Sequence, residues 1–261
     1  MLNTLNHVDI CFVIDTTGSM GSFISAAQQH LLDMISLLSA NSGIDLQVGL
    51  VEFRDHPPQD TSFVTRVYSL TNNLKSMQKS INSLRATGGG DGPEAVYDGI
   101  QTAITQMQWR AHSCRFALLV GDSPPHGLQS PGDAWPSGCP CGLTTNSVAA
   151  AAEKARITLH ALCMQDATAT VQSFTQLAIG TGGLCVRAKN AQEVISKINN
   201  VLDGEFQNLR FDSVVLQAVT RLACFDVNSL AAAIDCPQLQ AAAAIARLGK
   251  RGFLANLQAV N

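Results

Sequence analysis

The chain has 261 residues, of which 46% are hydrophobic and 14% charged, and its formal net charge at pH 7 is −3. This composition is typical of a compact globular protein and excludes a disordered chain, and the length allows one large domain or a large and a small one. The small net charge provides no global attraction to nucleic acid or to an anionic membrane.

The sequence also indicates where the protein resides. No apolar run approaches the ~20 residues needed to span a bilayer, and the start of the chain, Met1 to His7, lacks the basic and apolar regions of a signal peptide. Eight cysteines are scattered along the chain, and Cys11, Cys163 and Cys185 lie in apolar segments, which is typical of reduced, buried thiols. We therefore expect a cytoplasmic protein without a membrane segment.

The predicted elements alternate along the chain. The apolar run Val8 to Ile14 is rich in β-branched and aromatic residues and too short for a typical helix, which predicts a buried strand. Further strands are predicted at 46–53, 63–68, 115–122, 157–164 and 182–188. Helices are predicted at 23–38, 72–84, 95–107, 145–155, 168–179 and 191–202. This alternation predicts an α/β fold with a mostly parallel sheet flanked by helices, in which ligands bind at the carboxyl ends of the strands.

Three oxygen-bearing residues, Asp15, Thr17 and Ser19, follow the first strand at alternate positions. In a loop at the end of a strand, this spacing can turn three oxygens toward one point, and hard cations such as Mg²⁺ prefer oxygen ligands in a near-octahedral shell. One carboxylate and two hydroxyls fill only part of that shell, so other loops must complete such a site. The alternative is a strand-to-helix turn in which Thr17 or Ser19 caps the helix.

The stretch Asp15 to Met20, Asp-Thr-Thr-Gly-Ser-Met, closely resembles the metal-ion-dependent adhesion site (MIDAS) of von Willebrand factor A (vWA) domains, in the form common in bacterial and intracellular members. The resemblance extends in order and spacing over residues 5–203. It implies a Rossmann-like vWA domain at 1–204 with two more ligand loops. Asp122, in the stretch Asp-Ser-Pro-Pro-His, matches the aspartate that the third loop supplies in the family.

The second loop departs from the family pattern. Where many members have Gly-Gly-Thr, this chain has Gly89-Gly90-Asp91, so either Asp91 replaces the threonine or Thr87 reaches in from upstream. We favour Asp91, because the glycines let the backbone approach closely and Pro93 stands where the first helical residue would be; a role as helix N-cap is the alternative. Three carboxylates around one divalent cation would favour metal binding and disfavour capture of a partner's carboxylate.

The long irregular loop 123–142 carries His126, Trp135, Cys139 and Cys141. The Cys-x-Cys spacing differs from the usual zinc-binding Cys-x₂₋₄-Cys, and no clear fourth ligand follows, so zinc is not the favoured interpretation. We expect this loop to form a lid or a partner-binding surface beside the metal site.

The sequence contains no recognisable catalytic motif. It has neither a nucleophile elbow nor a Walker A pattern. His126, Asp55 and Ser19 are only nominal candidates for a base or nucleophile in a metal-dependent hydrolase. His56 is interpreted as a solvated loop residue. Glu94 is interpreted as a first-turn residue that interacts favourably with the helix dipole, and the alternative is a hydrogen-bond acceptor that supports the metal ligands.

Composition shifts after Gly204, which predicts a second, small module at 205–261. Its predicted elements are helices at 212–222, 225–234 and 238–248 and a strand at 253–257. The segment resembles a bacterial winged helix-turn-helix. Recognition of DNA would require polar side chains early in the third helix, where 241–244 is all alanine, although Arg247, Lys250 and Arg251 could contact phosphates.

The sequence thus predicts a cytoplasmic, non-enzymatic interaction protein. Its expected metal ligands are Asp15, Thr17, Ser19, Asp91 and Asp122, holding Mg²⁺ or else Mn²⁺ or Ca²⁺. A protein partner is expected at this site and at loop 123–142. DNA binding through 236–252 is the first alternative and is not favoured, and a metal-dependent hydrolase is the second.

Overall fold

The computed structural model, which describes residues 5–40, 43–128, 130–164, 166–223 and 225–254, is built around the strand formed by the first apolar run. This strand, β1 (His7–Asp15), is buried over almost its whole length. It pairs in parallel with β2 (Asp45–Phe53) on one side and with β4 (Cys114–Gly121) on the other. A strand paired at both edges and covered on both faces requires apolar residues at successive positions, which explains the unbroken apolar run from Ile10 to Ile14.

Six strands form one sheet in the order β3-β2-β1-β4-β5-β6. The remaining strands are β3 (Thr65–Thr71), β5 (Ile157–Cys163) and β6 (Cys185–Arg187). Only β3, at one edge, runs antiparallel to its neighbour; the other pairings are parallel. The prediction of a mostly parallel sheet is confirmed. The five parallel strands end at the same edge of the sheet, which brings the loops after β1, β2 and β4 together.

Helices cover both faces of the sheet. One face carries α1 (Gly21–Ala40), α2 (Leu74–Ser83) and the first half of α6 (Ala191–Leu222), and the other carries α3 (Val96–Gln106), α4 (Thr145–Lys154) and α5 (Thr168–Ile179). Side-chain oxygens of Asn73, Thr144 and Asn190 accept backbone hydrogen bonds at the starts of α2, α4 and α6. Such N-caps define where these helices begin.

The helix α6 crosses the boundary predicted at residue 204. It runs without a break for 32 residues, so the separate helices predicted at 191–202 and 212–222 are one helix. Gly204 lies inside it, because a single glycine costs a helix only about 1 kcal/mol and the apolar face continues through Phe206 and Leu209 into the main core. Among the described residues, no single helix is long and apolar enough to span a bilayer; α6 and the next helix meet that test only as a pair bent by 108°.

The C-terminal segment forms a small core of its own. Helices α7 (Val227–Ala233) and α8 (Gln238–Lys250) pack on the second half of α6, confirming the predicted helices, and Leu5 from the chain start joins them. Phe253 and Leu254 lie in a bend rather than in the predicted strand 253–257, whose remaining residues lie outside the described part of the chain. The winged-helix assignment itself stays a prediction.

The three cations expected to contact phosphates are all engaged within the chain. Arg247 binds the buried carboxylate of Asp212 through Nε and Nη2, at 3.0 and 2.6 Å from Oδ1. Lys250 Nζ lies 2.7 Å from Glu153 Oε2 on α4. Arg251 is buried, and its Nη2 donates to the carbonyl of Leu5 at 2.7 Å. Lys250, and Arg251 through a further bond from its Nε to the carbonyl of His112 at 3.1 Å, attach the C-terminal helices to the α/β part, whereas Arg247 joins α8 to α6.

Candidate metal centre

Asp15 is the last residue of β1 and organises the loop that follows. Its Oδ1 accepts hydrogen bonds from the backbone N (2.8 Å) and the hydroxyl (2.6 Å) of Thr17, whose Oγ1 lies 3.5 Å from Ser19 Oγ. Thr17 precedes the 3₁₀ turn Gly18–Met20 but makes no side-chain capping bond, so the N-cap alternative does not apply to it. The predicted spacing thus brings one carboxylate and two hydroxyls together. Asp15 Oδ2 is buried and accepts no hydrogen bond from the described residues.

A pocket of about 340 Å³ opens at this edge of the sheet. Asp122, which directly follows β4, lies in its wall, and Ser123 Oγ donates to Asp122 Oδ1 at 3.2 Å. Thr17, Ser19 and Asp91 line the same pocket. The structure therefore brings four of the five predicted ligands to one pocket, and Asp15 contacts it through the hydroxyl of Thr17.

The glycine loop before α3 approaches the first loop closely. Gly88 and Gly89 have φ angles of +81° and +78°, and a Cβ on Gly89 would lie 2.8 Å from Glu94 Oε1 and 3.2 Å from Thr17 Cβ. Glycine is needed here for both conformation and space. Thr87 is exposed and does not line the pocket, which favours Asp91 as the second-loop residue.

Asp91 lies between the pocket and loop 123–142. Its Oδ2 accepts a hydrogen bond from the backbone N of Ala134 at 2.6 Å, and its carboxylate lies within 4.8 Å of ligand atoms of Asp55 and His126. Its Oδ1 is buried and accepts no hydrogen bond from the described residues. The helix begins at Val96 with Ala95 as the N-cap residue, so the alternative in which Asp91 caps this helix is wrong.

Glu94 lines the pocket, in agreement with the alternative interpretation of this residue rather than with the favoured one. It is buried and precedes α3 by two residues, so its interpretation as a first-turn helix residue is wrong. Its backbone N donates to the carbonyl of Pro124 at 3.0 Å, which draws the side chain into the pocket wall. Glu94 Oε2 is buried without a hydrogen bond from the described residues. Only the docking of two distant loops places it there, and no local spacing encodes that.

The carboxylates of the site are crowded, and their pKa values reflect this. Burial, followed by the charge of Asp15 and then of three further aspartates, raises the pKa of Glu94 to about 10. Burial and the charge of Asp122 raise the pKa of Asp15 to about 7. Buried carboxylates of this kind need either a proton or a cation. Hydroxyls and carboxylate oxygens without hydrogen-bond donors are suitable ligands for a hard divalent cation, so the residues fit the metal that the MIDAS pattern implies.

His126 is held by two carboxylates beside this site. Its Nε2 lies 2.7 Å from Asp55 Oδ1 and its Nδ1 2.9 Å from Asp133 Oδ1, with all three side chains buried. Burial alone would lower the pKa of His126, but the hydrogen bonds to Asp55 and Asp133 outweigh it and raise that pKa. Both ring nitrogens are engaged, so this histidine fastens loop 123–142 to the loop after β2.

His56 and the two loop cysteines do not occupy the places expected from the sequence. His56 is buried rather than solvated, and its Nε2 lies 3.0 Å from Asp98 Oδ2 and 3.6 Å from Cys139 Sγ. Cys139 and Cys141 thus lie beside His56, not beside His126. Sequence spacing could not reveal this, because three separate elements contribute the side chains.

Part of the chain is similar in sequence to one known domain family and to two known proteins. The von Willebrand factor A domain model matches residues 9–117. The alpha-protein kinase vwkA of Dictyostelium discoideum is 30% identical over 139 residues, which are 52% of this chain and 22% of that protein. A putative ariadne-like RING finger protein of Acanthamoeba polyphaga mimivirus is 29% identical over 119 residues, 46% of this chain and 11% of that protein. The chain therefore spans about a fifth or less of these relatives.

Solved structures share the fold. The pilus adhesin SpaC from Lactobacillus rhamnosus GG superposes with a TM-score of 0.57 at 17% identity, covering 78% of this chain and 30% of that chain. Proximal thread matrix protein 1 from the mussel byssus, in a form with a zinc-occupied MIDAS motif, gives a TM-score of 0.54 at 12% identity, covering 77% and 46%. Residues 9–117 thus match the von Willebrand factor A domain family, and they lie in an α/β fold that this chain shares with an adhesin and a matrix protein.

Proposed function

We propose that this chain is a divalent-metal-dependent protein-interaction module and not an enzyme. The observation that carries the proposal is the pocket at the sheet edge. Thr17 and Ser19 line it together with Asp91 and Glu94, each of which has a buried carboxylate oxygen that accepts no hydrogen bond from the described residues. A divalent cation would supply the missing charge. The mussel protein with a zinc-occupied MIDAS motif has the same fold and supports this assignment.

The ligands would be Thr17, Ser19 and Asp122, with Asp15 and Asp91 contributing directly or through water. Oxygen donors favour Mg²⁺ or Mn²⁺, and Ca²⁺ is a further candidate. Glu94 joins this set as a carboxylate that a bound cation would neutralise. The second-loop aspartate that replaces the family's threonine gives the site more negative charge than a two-carboxylate site has.

This excess charge determines what a partner can present to the metal. An incoming carboxylate would meet the repulsion of Asp91 and Glu94 in addition to Asp15 and Asp122. A neutral oxygen, such as a hydroxyl or a backbone carbonyl, avoids that cost, and basic residues around it would be attracted. We therefore expect a partner that contacts the metal through a neutral oxygen and carries positive charge around it.

Loop 123–142 provides a surface for such a partner. It starts at Asp122 in the pocket wall and exposes Pro136, Ser137 and Pro140 to solvent. Its inner side is fixed by Asp133 and by the backbone N of Ala134. A fixed loop loses little conformational freedom on binding, which favours affinity.

Two further observations favour binding over catalysis. His126, the nominal general base, has both ring nitrogens engaged by buried aspartates, so neither is available to a substrate. The relatives carry the names of a kinase and of a RING finger protein, and this chain matches only a part of each, as expected of a portable interaction module. A cytoplasmic location is part of the proposal.

The test is metal-dependent capture of binding partners by the immobilised chain in Mg²⁺ and in EDTA, with native protein, Asp15→Ala and the exposed control Asp166→Asn. The proposal predicts partners that are retained by native and control protein in Mg²⁺ and lost in EDTA and in Asp15→Ala. Equal capture of partners in Mg²⁺ and in EDTA, and by native protein and Asp15→Ala, would refute the proposal. Turnover of phosphate esters or peptides that Asp15→Ala abolishes in a folded protein would instead establish the hydrolase alternative.

A further inference from the structure

Four side chains with metal-binding chemistry converge behind the candidate metal centre. They are His56 in the loop after β2, Asp98 in the first turn of α3, and Cys139 and Cys141 in the loop between β4 and α4. Their ligand atoms all lie within 4.8 Å of one another. We propose that these four residues form a structural zinc site, separate from the pocket lined by Thr17 and Asp122.

The distances within the group agree with a tetrahedral site. With Zn–S near 2.3 Å and Zn–N and Zn–O near 2.1 Å, a tetrahedron has S···N and S···O edges of about 3.6 Å and an N···O edge of about 3.4 Å. In the structure Cys139 Sγ lies 3.6 Å from His56 Nε2 and 3.2 Å from Asp98 Oδ2. His56 Nε2 lies 3.0 Å from Asp98 Oδ2. An increase of a few tenths of an ångström in the two distances to Asp98 Oδ2 would make room for the ion.

The donor set selects the metal. Two thiolates and an imidazole are softer donors than Mg²⁺ or Ca²⁺ accepts, and four protein ligands without an open position are typical of a structural zinc. The two cysteines are only two residues apart, but a turn closed by the hydrogen bond from Gly142 N to the carbonyl of Cys139, at 2.9 Å, lets both sulfurs point the same way. The other two ligands lie far away in sequence, which is why the cysteine spacing alone did not predict zinc.

The zinc site is open to solvent on one side and enclosed by protein on the other. Cys141 is exposed, so zinc can enter from solvent, whereas His56 and Cys139 are buried. Trp135 packs edge-on against His56, with ring centroids 5.6 Å apart, and closes one side. Among the described residues, this is the group that combines cysteine, histidine and aspartate ligands.

Zinc at this position stabilises the candidate metal centre from behind. It joins loop 123–142 to α3 and to His56, and the neighbour of His56 in the chain is Asp55, which binds His126. The same loop holds Asp91 through the backbone N of Ala134. The zinc is therefore a fixed support for the partner-binding loop 123–142. The candidate metal centre in the pocket lined by Thr17 and Asp122, here called the front site, instead exchanges a harder cation.

The experiment is titration of the reduced, metal-stripped full-length chain with Co²⁺, followed by displacement with Zn²⁺. One equivalent of Co²⁺ is expected to produce sulfur-to-cobalt charge-transfer absorption and the strong visible bands of a tetrahedral ion. Cys141→Ser, at the exposed ligand, should lower the charge-transfer absorption by about half and weaken zinc by more than the roughly 10- to 100-fold that loss of an outer-shell partner costs. The double variant Cys139→Ser/Cys141→Ser should lose the absorption.

Two control variants distinguish cobalt binding at the zinc site from cobalt binding at the front site. Cys236→Ser removes a thiol in the C-terminal segment, and Asp15→Ala removes a carboxylate of the front site; both should keep the cobalt–sulfur absorption and its one-to-one stoichiometry. Far-UV circular dichroism verifies that each variant folds. Absorption without a sulfur band, or a sulfur band that persists in the double variant, would overturn the proposal.

Discussion

Replacing Glu94 with glutamine tests whether the carboxylates of the front site carry uncompensated charge. The pKa of Glu94 is raised from its usual 4.5 to about 10, chiefly by burial and then by the charge of Asp15. The folded chain therefore keeps a proton that the unfolded chain releases, and folding stability falls as pH rises through this window. The side chain is only 3% exposed, so solvent does not screen the effect.

The size of the effect follows from proton linkage. One proton held only by the folded state changes the free energy of unfolding by about 1.4 kcal/mol per pH unit. From pH 5.5 to 7.5, metal-free native protein should lose up to about 2.7 kcal/mol through Glu94. This is an upper limit, because Asp15 and Glu94 repel each other and share the titration. Glu94→Gln keeps the shape and cannot titrate, so its stability should decline less steeply with pH.

The assay is urea unfolding at several pH values in EDTA, for native protein, Glu94→Gln and the exposed control Asp166→Asn. The control should follow the native slope. Repeating the series in saturating Mg²⁺ should bring the native and Glu94→Gln curves closer, since the cation replaces the proton. Parallel slopes of native protein and Glu94→Gln in EDTA would refute the reasoning.

Three further predictions concern the C-terminal helices. Arg247→Ala leaves the buried carboxylate of Asp212 unpaired and should lower the free energy of unfolding by about 3 kcal/mol, whereas the exposed Arg221→Ala should change it little; equal urea midpoints for the two variants would contradict the role of the pair. A fragment 1–204 lacks Phe206, a residue of the main core, and should be less stable than the full chain by at least the 3–5 kcal/mol that is typical of a Phe→Ala change; a fragment as stable as the whole chain would show an independent domain. Duplex DNA should bind weakly if at all, because the cations of α8 are engaged within the chain; tight binding that falls steeply with salt would contradict this.

Much of the fold could be predicted because the sequence signals are local. The apolar run of β1 and the oxygen residues after it determine a strand end, and the parallel sheet then places Asp15 and Asp122 at one edge. The course of α6 could not be predicted, since the effect of Gly204 depends on whether the apolar face beyond it finds a core to bury against. In the structure this apolar face is buried in the main core through Phe206.

The parts of the site that could not be assigned from the sequence depend on how loops dock. Glu94 enters the pocket wall because its backbone pairs with Pro124, 30 positions along the chain from it. His56 and Asp98 meet the two cysteines because the end of β2, the start of α3 and the long loop converge. Spacing along the chain encodes which residues of one element share a face, but not which loops meet.

Cation binding at the end of β1 can be measured by thermal or urea unfolding of the chelated chain with and without Mg²⁺ or Mn²⁺, for native protein, Asp15→Ala and Asp166→Asn. At about 100 times its Kd, a cation bound only by the folded state adds about 2.7 kcal/mol of stability. Native protein and the control should show this gain, and Asp15→Ala should lose it. The absence of any cation-dependent gain in native protein, or an equal gain in Asp15→Ala, would contradict a metal centre at the end of β1.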